Sequence, residues 1–342
     1  MLEIDSSKGE GGGQMVRTSV ALSAVTGIPT KLIRIRENRP TNGLSRQHTA
    51  AISAVASMTG SKVEGNVPGS SELVFEPGRE QAGRLEIDIG TAGSISLVLQ
   101  AVLLAARNHR ERLTLDIKGG TNVLWAPPLD SYDMALFPLM RRMGINAEVE
   151  IVSRGFYPIG GGRAVATLDP IGDIAPLEIA DLGRLKRIRG RCFAQHLPER
   201  VERDMVGACE KAMKGYGLEM EVQNGKGDSR GAGIVLAAEY ENGIISSNVL
   251  TSKGRSAEQS GIDVANDLLQ EMNAGSTIDV HTADQIIPYM AMARGKSSFV
   301  VSRISKHLLS QMDTLESFLD VRFGVERKKD GYHFTVSPGG AQ

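Results

Sequence analysis

One recurring order of segments constrains this chain most: a helix-like apolar period, then a glycine, then a strand-like alternation. It occurs five times, with the glycine at Gly27, Gly60, Gly144, Gly217 and Gly324. Glycine suits the residue just past a helix because it accepts the left-handed backbone found there. Five such segments predict an α/β sandwich of helix–strand modules. The pattern alone leaves open whether the modules are true internal repeats.

A change in composition marks a second region. Residues 184–191 are a basic run with strand-like alternation, and residues 223–233 form a glycine-rich stretch. A strand-like segment and a helix-like segment follow it. We therefore predict a small α/β domain over residues 183–277, inserted into a larger domain made of residues 1–182 and 278–342.

Composition excludes several classes of protein. The 342 residues carry a net charge of −1, so an anionic partner must be held by a local basic patch rather than by bulk charge. Aromatic residues make up only 4%, which argues against a base-stacking platform of the kind used by many single-strand binders. Cys192 and Cys209 are too few for a disulfide scaffold or a four-cysteine metal site.

No targeting or membrane segment is evident. The first ten residues lack the basic and apolar regions of a signal peptide. The longest apolar stretch, residues 95–106, is interrupted by Gln100 and is too short to cross a bilayer. We expect no membrane association and a cytoplasmic location.

Residues 8–14 place a glycine-rich turn directly before a helix. Such a turn exposes backbone N–H groups and the positive end of the helix dipole, which suits phosphate. The stretch matches neither the P-loop nor the dinucleotide fingerprint. Glu10 would repel phosphate unless a divalent metal lay between them. A tight structural turn with a solvated glutamate explains the same residues.

Residues 31–46 hold five basic residues and one acidic residue. Arg39 lies on one side of a Pro-Thr-Asn-Gly turn, and residues 46–48 (Arg-Gln-His) lie on the other. Arginine binds phosphate oxygens in a bidentate manner, so this loop is a candidate phosphate site. The alternative is a solvated basic edge strand and turn.

Three further segments have both a functional and a structural interpretation. Residues 154–163 contain three successive glycines, for which we favour close backbone packing over a binding loop. Asp284 and Gln285 supply the acceptor and amide that read a purine edge, but His281 and Asp284 also fit a helical polar pair. His307 begins a predicted helix, whose dipole favours neutral imidazole, the form that acts as a nucleophile. A polar histidine at a helix start is the alternative.

These five segments together resemble the RNA 3′-terminal phosphate cyclase family, and the resemblance spans essentially the whole chain. Its most specific motifs are Gly-Glu-Gly-Gly-Gly-Gln at residues 9–14 and Gly-Phe-Tyr-Pro-Ile-Gly-Gly-Gly at residues 155–162. The resemblance implies a large domain of three repeated units, each a four-stranded sheet with two helices. It also implies a small inserted α/β domain, in agreement with the boundaries above.

The resemblance also implies an activity in three steps. A histidine attacks the α-phosphate of ATP, AMP then passes to an RNA 3′-phosphate, and the neighbouring 2′-hydroxyl closes a 2′,3′-cyclic phosphate. The implied cofactors are ATP, as substrate, and Mg²⁺ or Mn²⁺. The implied partners are RNA 3′-phosphate ends, with no obligate protein partner and with a homodimer left open.

The family's functional positions map onto this chain by motif. His307 is the implied nucleophile, and Glu10 the implied metal ligand. Arg17, Arg39, Gln47 and His48 are implied to hold phosphates. The implied nucleotide-binding residues are Gln100, Pro128, His281, Thr282, Ala283, Asp284 and Gln285.

Departures from the family pattern and two rival functions remain. Asn42 stands where relatives commonly carry proline, and His281 stands where some carry tyrosine, which makes His281 a rival nucleophile. An rRNA-processing branch of the family lacks the nucleophile, whereas this chain keeps His307.

The rival functions are a catalytically inert RNA- or ribosome-assembly protein and a small-molecule transferase on a related fold.

Overall fold

The first repeated unit follows the order strand, helix, strand, helix, strand, strand. The computed structural model of the chain describes residues 1–9, 11–252, 254–328 and 331–339. The strands of the first unit form one sheet in the order β1-β2-β4-β3, in which only β1 and β2 are parallel. Its elements are β1 (Leu2–Asp5), α1 (Gly13–Thr26), β2 (Thr30–Ile33), α2 (Arg46–Thr59), β3 (Lys62–Glu64) and β4 (Leu73–Glu76).

The second unit repeats the topology of the first. Its sheet order is β5-β6-β8-β7, and again only the first pair is parallel. A π-helical turn, Tyr132–Leu136, joins its two shorter helices. The elements are β5 (Arg84–Asp88), α3 (Ile95–Ala105), β6 (Leu113–Gly119), α4 (Leu129–Ser131), α5 (Phe137–Arg142), β7 (Ala147–Ser153) and β8 (Gly162–Leu168).

A four-stranded sheet of different order follows. It runs β10-β9-β11-β12, and α6 and α7 pack with it around a second apolar cluster that includes Met205, Ile234 and Val264. The division of the chain at residues 183 and 277 stays a prediction. The elements are β9 (Leu185–Gln195), α6 (Arg200–Ala212), β10 (Leu218–Asn224), β11 (Gly231–Tyr240), β12 (Ile244–Leu250) and α7 (Ala257–Asn273).

The last unit has the same topology with a shortened first strand. Its sheet order is β13-β15-β14, and Glu178 adds a single parallel bridge to Ser298 of β13. In the described residues this unit therefore has three strands and one bridge, where the resemblance implied four strands. Its elements are α8 (Val280–Ala291), β13 (Ser297–Val301), α9 (Lys306–Phe318), β14 (Val321–Lys328) and β15 (Gly331–Pro338).

The fold is thus the predicted mixed α/β architecture with a repeated β-α-β-α-β-β plan. α1 and α2 end at Gly27 and Gly60, which have φ of 74° and 62°, as the glycine pattern predicted. The fifth glycine was placed wrongly, because Gly324 lies inside β14 rather than after a helix. In the part of the chain that the structure describes, no helix is long and apolar enough to cross a membrane.

Candidate active site

His307 lies in the first turn of α9, next to the glycine-rich loop that precedes α1. Its Nδ1 is 2.9 Å from Oε1 of Gln14. An amide oxygen only accepts, so Nδ1 carries the hydrogen and Nε2 carries the lone pair. The loop lies directly against α9 at Gly9, so close that a Cβ there would overlap Oγ of Ser310. Two segments almost 300 residues apart therefore meet at this imidazole.

The surroundings of His307 favour its neutral form. The His307 side chain is exposed to solvent on one side, but partial desolvation lowers the pKa of its imidazole below the usual value, and the charges of Arg17 and Arg39 and the nearby His281 lower it further. The ring at the start of α9 also faces the positive end of the helix dipole. His307 is therefore neutral at pH 7 with a defined tautomer, which is the state that a nitrogen nucleophile requires.

Asp284 connects α8 to α9. Ser305 caps α9 by accepting from the backbone N–H of Leu308 at 2.8 Å, and its hydroxyl donates to Oδ1 of Asp284 at 2.7 Å. Burial raises the pKa of the Asp284 carboxyl to about 7, although the Ser305 hydrogen bond opposes the shift. Burial of a carboxyl whose charged form is disfavoured lowers the stability of the fold. Asp284 is therefore a candidate functional residue rather than a structural one.

Asp279 caps the other helix of this pair. Its Oδ1 accepts from the backbone N–H groups of His281 and Thr282, and its Oδ2 accepts from the Thr282 hydroxyl at 2.8 Å. Ala283 is fully buried. Thr282 and Ala283 are therefore buried in the first turn of α8, whereas His281 is exposed beside His307. The predicted contact of these three residues with a nucleotide stays a prediction.

Arg17 and Gln100 line a small cavity between α1, α3 and α8. Nη2 of Arg17 donates to Oε1 of Gln100 at 3.1 Å, and burial lowers the pKa of Arg17 to about 10. Nε of Arg17 and Oε1 of Gln285 are buried and have no hydrogen-bond partner among the described residues. The cavity has a volume of about 30 Å³, so it holds water but not an adenine ring.

Gln47 and His48 lie at the start of α2, where each already has a structural partner. Oε1 of Gln47 accepts from the backbone N–H of Ser94 at 2.7 Å, which ties α2 to the start of α3. Nδ1 of His48 accepts from the backbone N–H of Ser45 at 3.1 Å, so His48 completes a capping box. Their predicted contact with phosphate stays a prediction.

His48 is held as a neutral group. Burial lowers its pKa to about 3, and the charges of Arg17 and Arg36 add to the effect. Its imidazole packs directly against the backbone of Gly13, where a Cβ would overlap the ring. Any contact of His48 with phosphate must therefore be a neutral hydrogen bond, not an ion pair.

Fewer contacts define the positions of the remaining predicted site residues. Pro128 precedes α4 as its N-cap residue, and Arg39 lies near enough to His307 to affect its pKa. Glu10, the predicted metal ligand, lies outside the described residues. Within the described ranges, no group of three or more His, Cys, Asp or Glu side chains is arranged to hold a metal ion.

Asp130, two residues after Pro128, belongs to a buried ion pair that the sequence did not predict. Arg154 donates to both carboxylate oxygens of Asp130, at 2.8 and 2.9 Å, and both side chains are almost fully buried. The Arg154 guanidinium also lies 4.0 Å from the Phe193 ring centre and donates to Gln223 at 2.6 Å. Arg154 is the first residue of the glycine-rich segment 154–163, but nothing in the sequence identified Asp130 as its partner.

Comparison with known proteins identifies the family. Residues 8–325 match the family model described as "RNA 3'-terminal phosphate cyclase". The chain belongs to this cyclase family. Proteins named RNA 3'-terminal phosphate cyclase are 40% identical in Methanopyrus kandleri, with 98% of each chain covered, and 39% identical in Methanosarcina barkeri, with 98% of this chain and 100% of that protein covered.

A third cyclase relative, from Caldivirga maquilingensis, is 40% identical and covers 99% of this chain and 98% of its own. A solved structure, the enolpyruvyl transferase NikO from Streptomyces tendae, aligns with a TM-score of 0.38 and 9% identity over 98% of this chain and 48% of that chain. So weak a similarity carries no argument about this cyclase-family chain.

Proposed function

We propose that this chain converts an RNA 3′-terminal phosphate into a 2′,3′-cyclic phosphate at the expense of ATP. In the first step Nε2 of His307 attacks the α-phosphorus of ATP. An N–P bond forms, the bond to the bridging oxygen breaks, and pyrophosphate leaves. Gln14 supports this step because it keeps the hydrogen of the imidazole on Nδ1.

The second and third steps follow from the chemistry of the RNA end. An oxygen of the 3′-phosphate attacks the phosphorus of His307-bound AMP, which forms an anhydride and returns the histidine. The 2′-hydroxyl then attacks the activated phosphate and AMP leaves. Because nucleophile and phosphate share one ribose, proximity lowers the barrier, by up to roughly 7–11 kcal/mol in ideal intramolecular reactions. No general base for the hydroxyl is assigned.

The charges of the site suit this anionic chemistry. The N-termini of α1 and α9 direct their positive dipole ends toward the space around His307 and Gln14. Arg17 and Arg39 supply positive charge at the same place. We assign the triphosphate to this region and the adenosine to the mouth of the cavity, near Gln100, Pro128, His281, Asp284 and Gln285.

We propose that ATP brings Mg²⁺ or Mn²⁺ to this site. Such an ion needs only one or two protein carboxylates when phosphates complete its shell. Glu10 is the assigned ligand by its position in the Gly-Glu-Gly-Gly-Gly-Gln motif at residues 9–14. The ion would neutralise charge on the phosphate oxygens.

The observation that carries the proposal is the neutral, oriented imidazole of His307 beside a buried arginine. The test is incubation of the protein with α-labelled ATP and Mg²⁺, without RNA. We expect acid-labile, alkali-stable label on the wild-type protein and on His281→Ala, and none on His307→Ala. RNA carrying a 3′-phosphate should then discharge the label.

The rival functions predict different results. An inert RNA- or ribosome-assembly protein takes up no label. A small-molecule transferase acts without RNA and does not depend on His307. Full labelling of His307→Ala would move the nucleophile elsewhere.

A further inference from the structure

The only tryptophan of the chain is also one of its most exposed residues. Trp125 keeps 98% of its surface accessible, and Tyr157, on a neighbouring loop, keeps 72%. Leu124 and Ile159 are more than half exposed on the same two loops. Single exposed apolar side chains are ordinary, but four of them grouped on adjoining loops indicate an interaction surface.

Backbone hydrogen bonds join these loops to each other and to a third. The N–H groups of Thr121 and Asn122 donate to the carbonyl of Gly155, at 2.9 and 3.1 Å. The N–H of Phe156 donates to Oγ of Ser229 at 2.7 Å, and that of Arg154 donates to the carbonyl of Lys226. Residues 121–126, 154–161 and 225–230 therefore form one surface, here called the three-loop surface.

The backbone at Trp125 is unfavourable for the residue it carries. Its φ is 67°, in the left-handed region that bulky L-residues rarely adopt. A side chain that packs on nothing and sits on a disfavoured backbone adds nothing to folding. Such an outlier points instead to a role in recognition.

The three-loop surface adjoins the proposed active site. Oγ of Ser96, in α3, donates to the carbonyl of Pro127 at 2.6 Å, so the loop bearing Trp125 is anchored to the first turn of that helix. Ser94, just before α3, forms a single parallel β-bridge with Gly120. Its backbone N–H donates to Oε1 of Gln47. Only Ala126 and Pro127 separate Trp125 from Pro128, which we assign to the nucleotide.

The charge of the surface suits a phosphodiester strand. Lys226 and Arg230 are exposed on its third loop, and neither makes an ion pair with any residue that the structure describes. Asp228 is the one acidic residue of that loop, which therefore has a net positive charge. Exposed rings beside unpaired cations are the combination that binds single-stranded nucleic acid.

We propose that the three-loop surface binds the single-stranded RNA that leads into the reacting 3′ end. Nucleobases stack on Trp125 and Tyr157, and Lys226 and Arg230 contact the phosphodiesters. The inference rests on the proposed function, because it names where the same RNA substrate is held. The low aromatic content argued against a base-stacking platform, and the proposal departs from that expectation with a platform of two rings.

The test separates RNA binding from adenylylation. Because Trp125 is the sole tryptophan, a short RNA with a 3′-phosphate should quench the protein's tryptophan emission on titration. Trp125→Ala should raise the KM for RNA about 5- to 150-fold, the range of single base–aromatic stacks, and leave labelling by α-labelled ATP unchanged. Trp125→Phe should keep most of the affinity.

Tyr216→Ala is the matched control. Tyr216 is 40% exposed and lies just before the start of β10. The other end of this seven-residue strand leads into the third loop, so Tyr216 lies about 20 Å from that loop along the strand. This variant should leave the KM for RNA unchanged. Thermal unfolding should show that Trp125→Ala folds as well as the wild type.

Several outcomes would overturn the proposal. One is an unchanged KM for RNA in the double variant Trp125→Ala, Tyr157→Ala. Another is a wild-type dimer that Trp125→Ala dissociates while RNA affinity is unchanged, which would assign the surface to a second copy. Failure of the proposed function looks different, because the wild type would then take up no adenylyl label whether or not RNA quenches Trp125.

Discussion

At the scale of single residues, the site is defined by ionisable groups held in unusual states. His307 is neutral because partial desolvation and two nearby arginines lower its pKa, and His48 is neutral because burial lowers its pKa to about 3. Burial raises the pKa of the Asp284 carboxyl to about 7. The sequence singled out all three residues as candidates. It predicted a neutral imidazole for His307 from its place at a helix start. It did not predict the charge states of His48 and Asp284, because these depend on burial and on neighbours far away in the chain.

Asp284→Asn should stabilise the protein in a pH-dependent way. In the wild type the folded carboxyl, with a pKa of about 7, binds its proton more tightly than the unfolded one near 3.8. Stability is therefore lost as the pH rises from about 4 to 7. The variant lacks this loss, so its advantage in unfolding free energy should grow from near zero at pH 4 to at most about 4 kcal/mol at pH 8.

Urea unfolding at the two pH values measures the effect of Asp284→Asn. Ser305→Ala is a useful companion, because it removes the hydroxyl that donates to Asp284 but leaves the carboxyl. ATP affinity should fall in Asp284→Asn if the carboxyl holds the adenosine. A stability difference that is equal at pH 4 and pH 8 would show that Asp284 has an ordinary pKa.

At the scale of elements, helix starts build the site. Gly12 precedes α1 as its N-cap residue, Ser45 caps α2, Ser94 caps α3 and Ser305 caps α9. Contacts such as that of Gln47 with Ser94 link these helix starts. Serine caps and glycine stops are local signals, so the existence of these helices was predictable. The contact of Gln14 with His307 was not, because it joins residues 293 positions apart.

Gly13→Ala tests the packing between α1 and α2. A Cβ at Gly13 would overlap the His48 ring, so the imidazole must move and the capping box of α2 is lost. We expect a loss of stability of about 1 kcal/mol or more and at least a tenfold fall in cyclisation. Thermal unfolding and a cyclisation assay measure the two effects.

Gly207→Ala is the matched control for Gly13→Ala. Gly207 lies inside α6, and nothing is within 4 Å of a Cβ placed there. This variant should be more stable than the wild type by up to about 1 kcal/mol with unchanged activity. If Gly13→Ala behaves in the same way, the contact with His48 does not hold the site together.

At the scale of the whole molecule, the β9–β12 sheet is joined to the active-site region by polar contacts. Arg191, Phe193 and Gln223 of this sheet surround the Arg154–Asp130 pair, and Ser246 donates to Asp279 at the start of α8. Burial disfavours the charge of Asp130, yet Arg154 and Arg191 hold its pKa below the usual value. Such long-range pairs have no local sequence signal.

Asp130→Ala should be strongly destabilising. It leaves the buried Arg154 guanidinium without its carboxylate, which typically costs about 3–5 kcal/mol. Asp116→Ala is the control, because its partner Arg163 is largely exposed and such a pair contributes at most about 1 kcal/mol. Adding Arg154→Met to Asp130→Ala should recover part of the loss. Equal unfolding free energies for the two single variants would contradict the role of this pair.

The central claim is that the imidazole of His307 accepts AMP, and peptide mapping of the adenylylated protein tests it most directly. The protein is incubated with ATP and Mg²⁺, digested at alkaline pH, and sequenced by fragmentation mass spectrometry. We predict AMP on His307, and its loss after mild acid. AMP on the adjacent Lys306, on His281, or on no residue at all would contradict it.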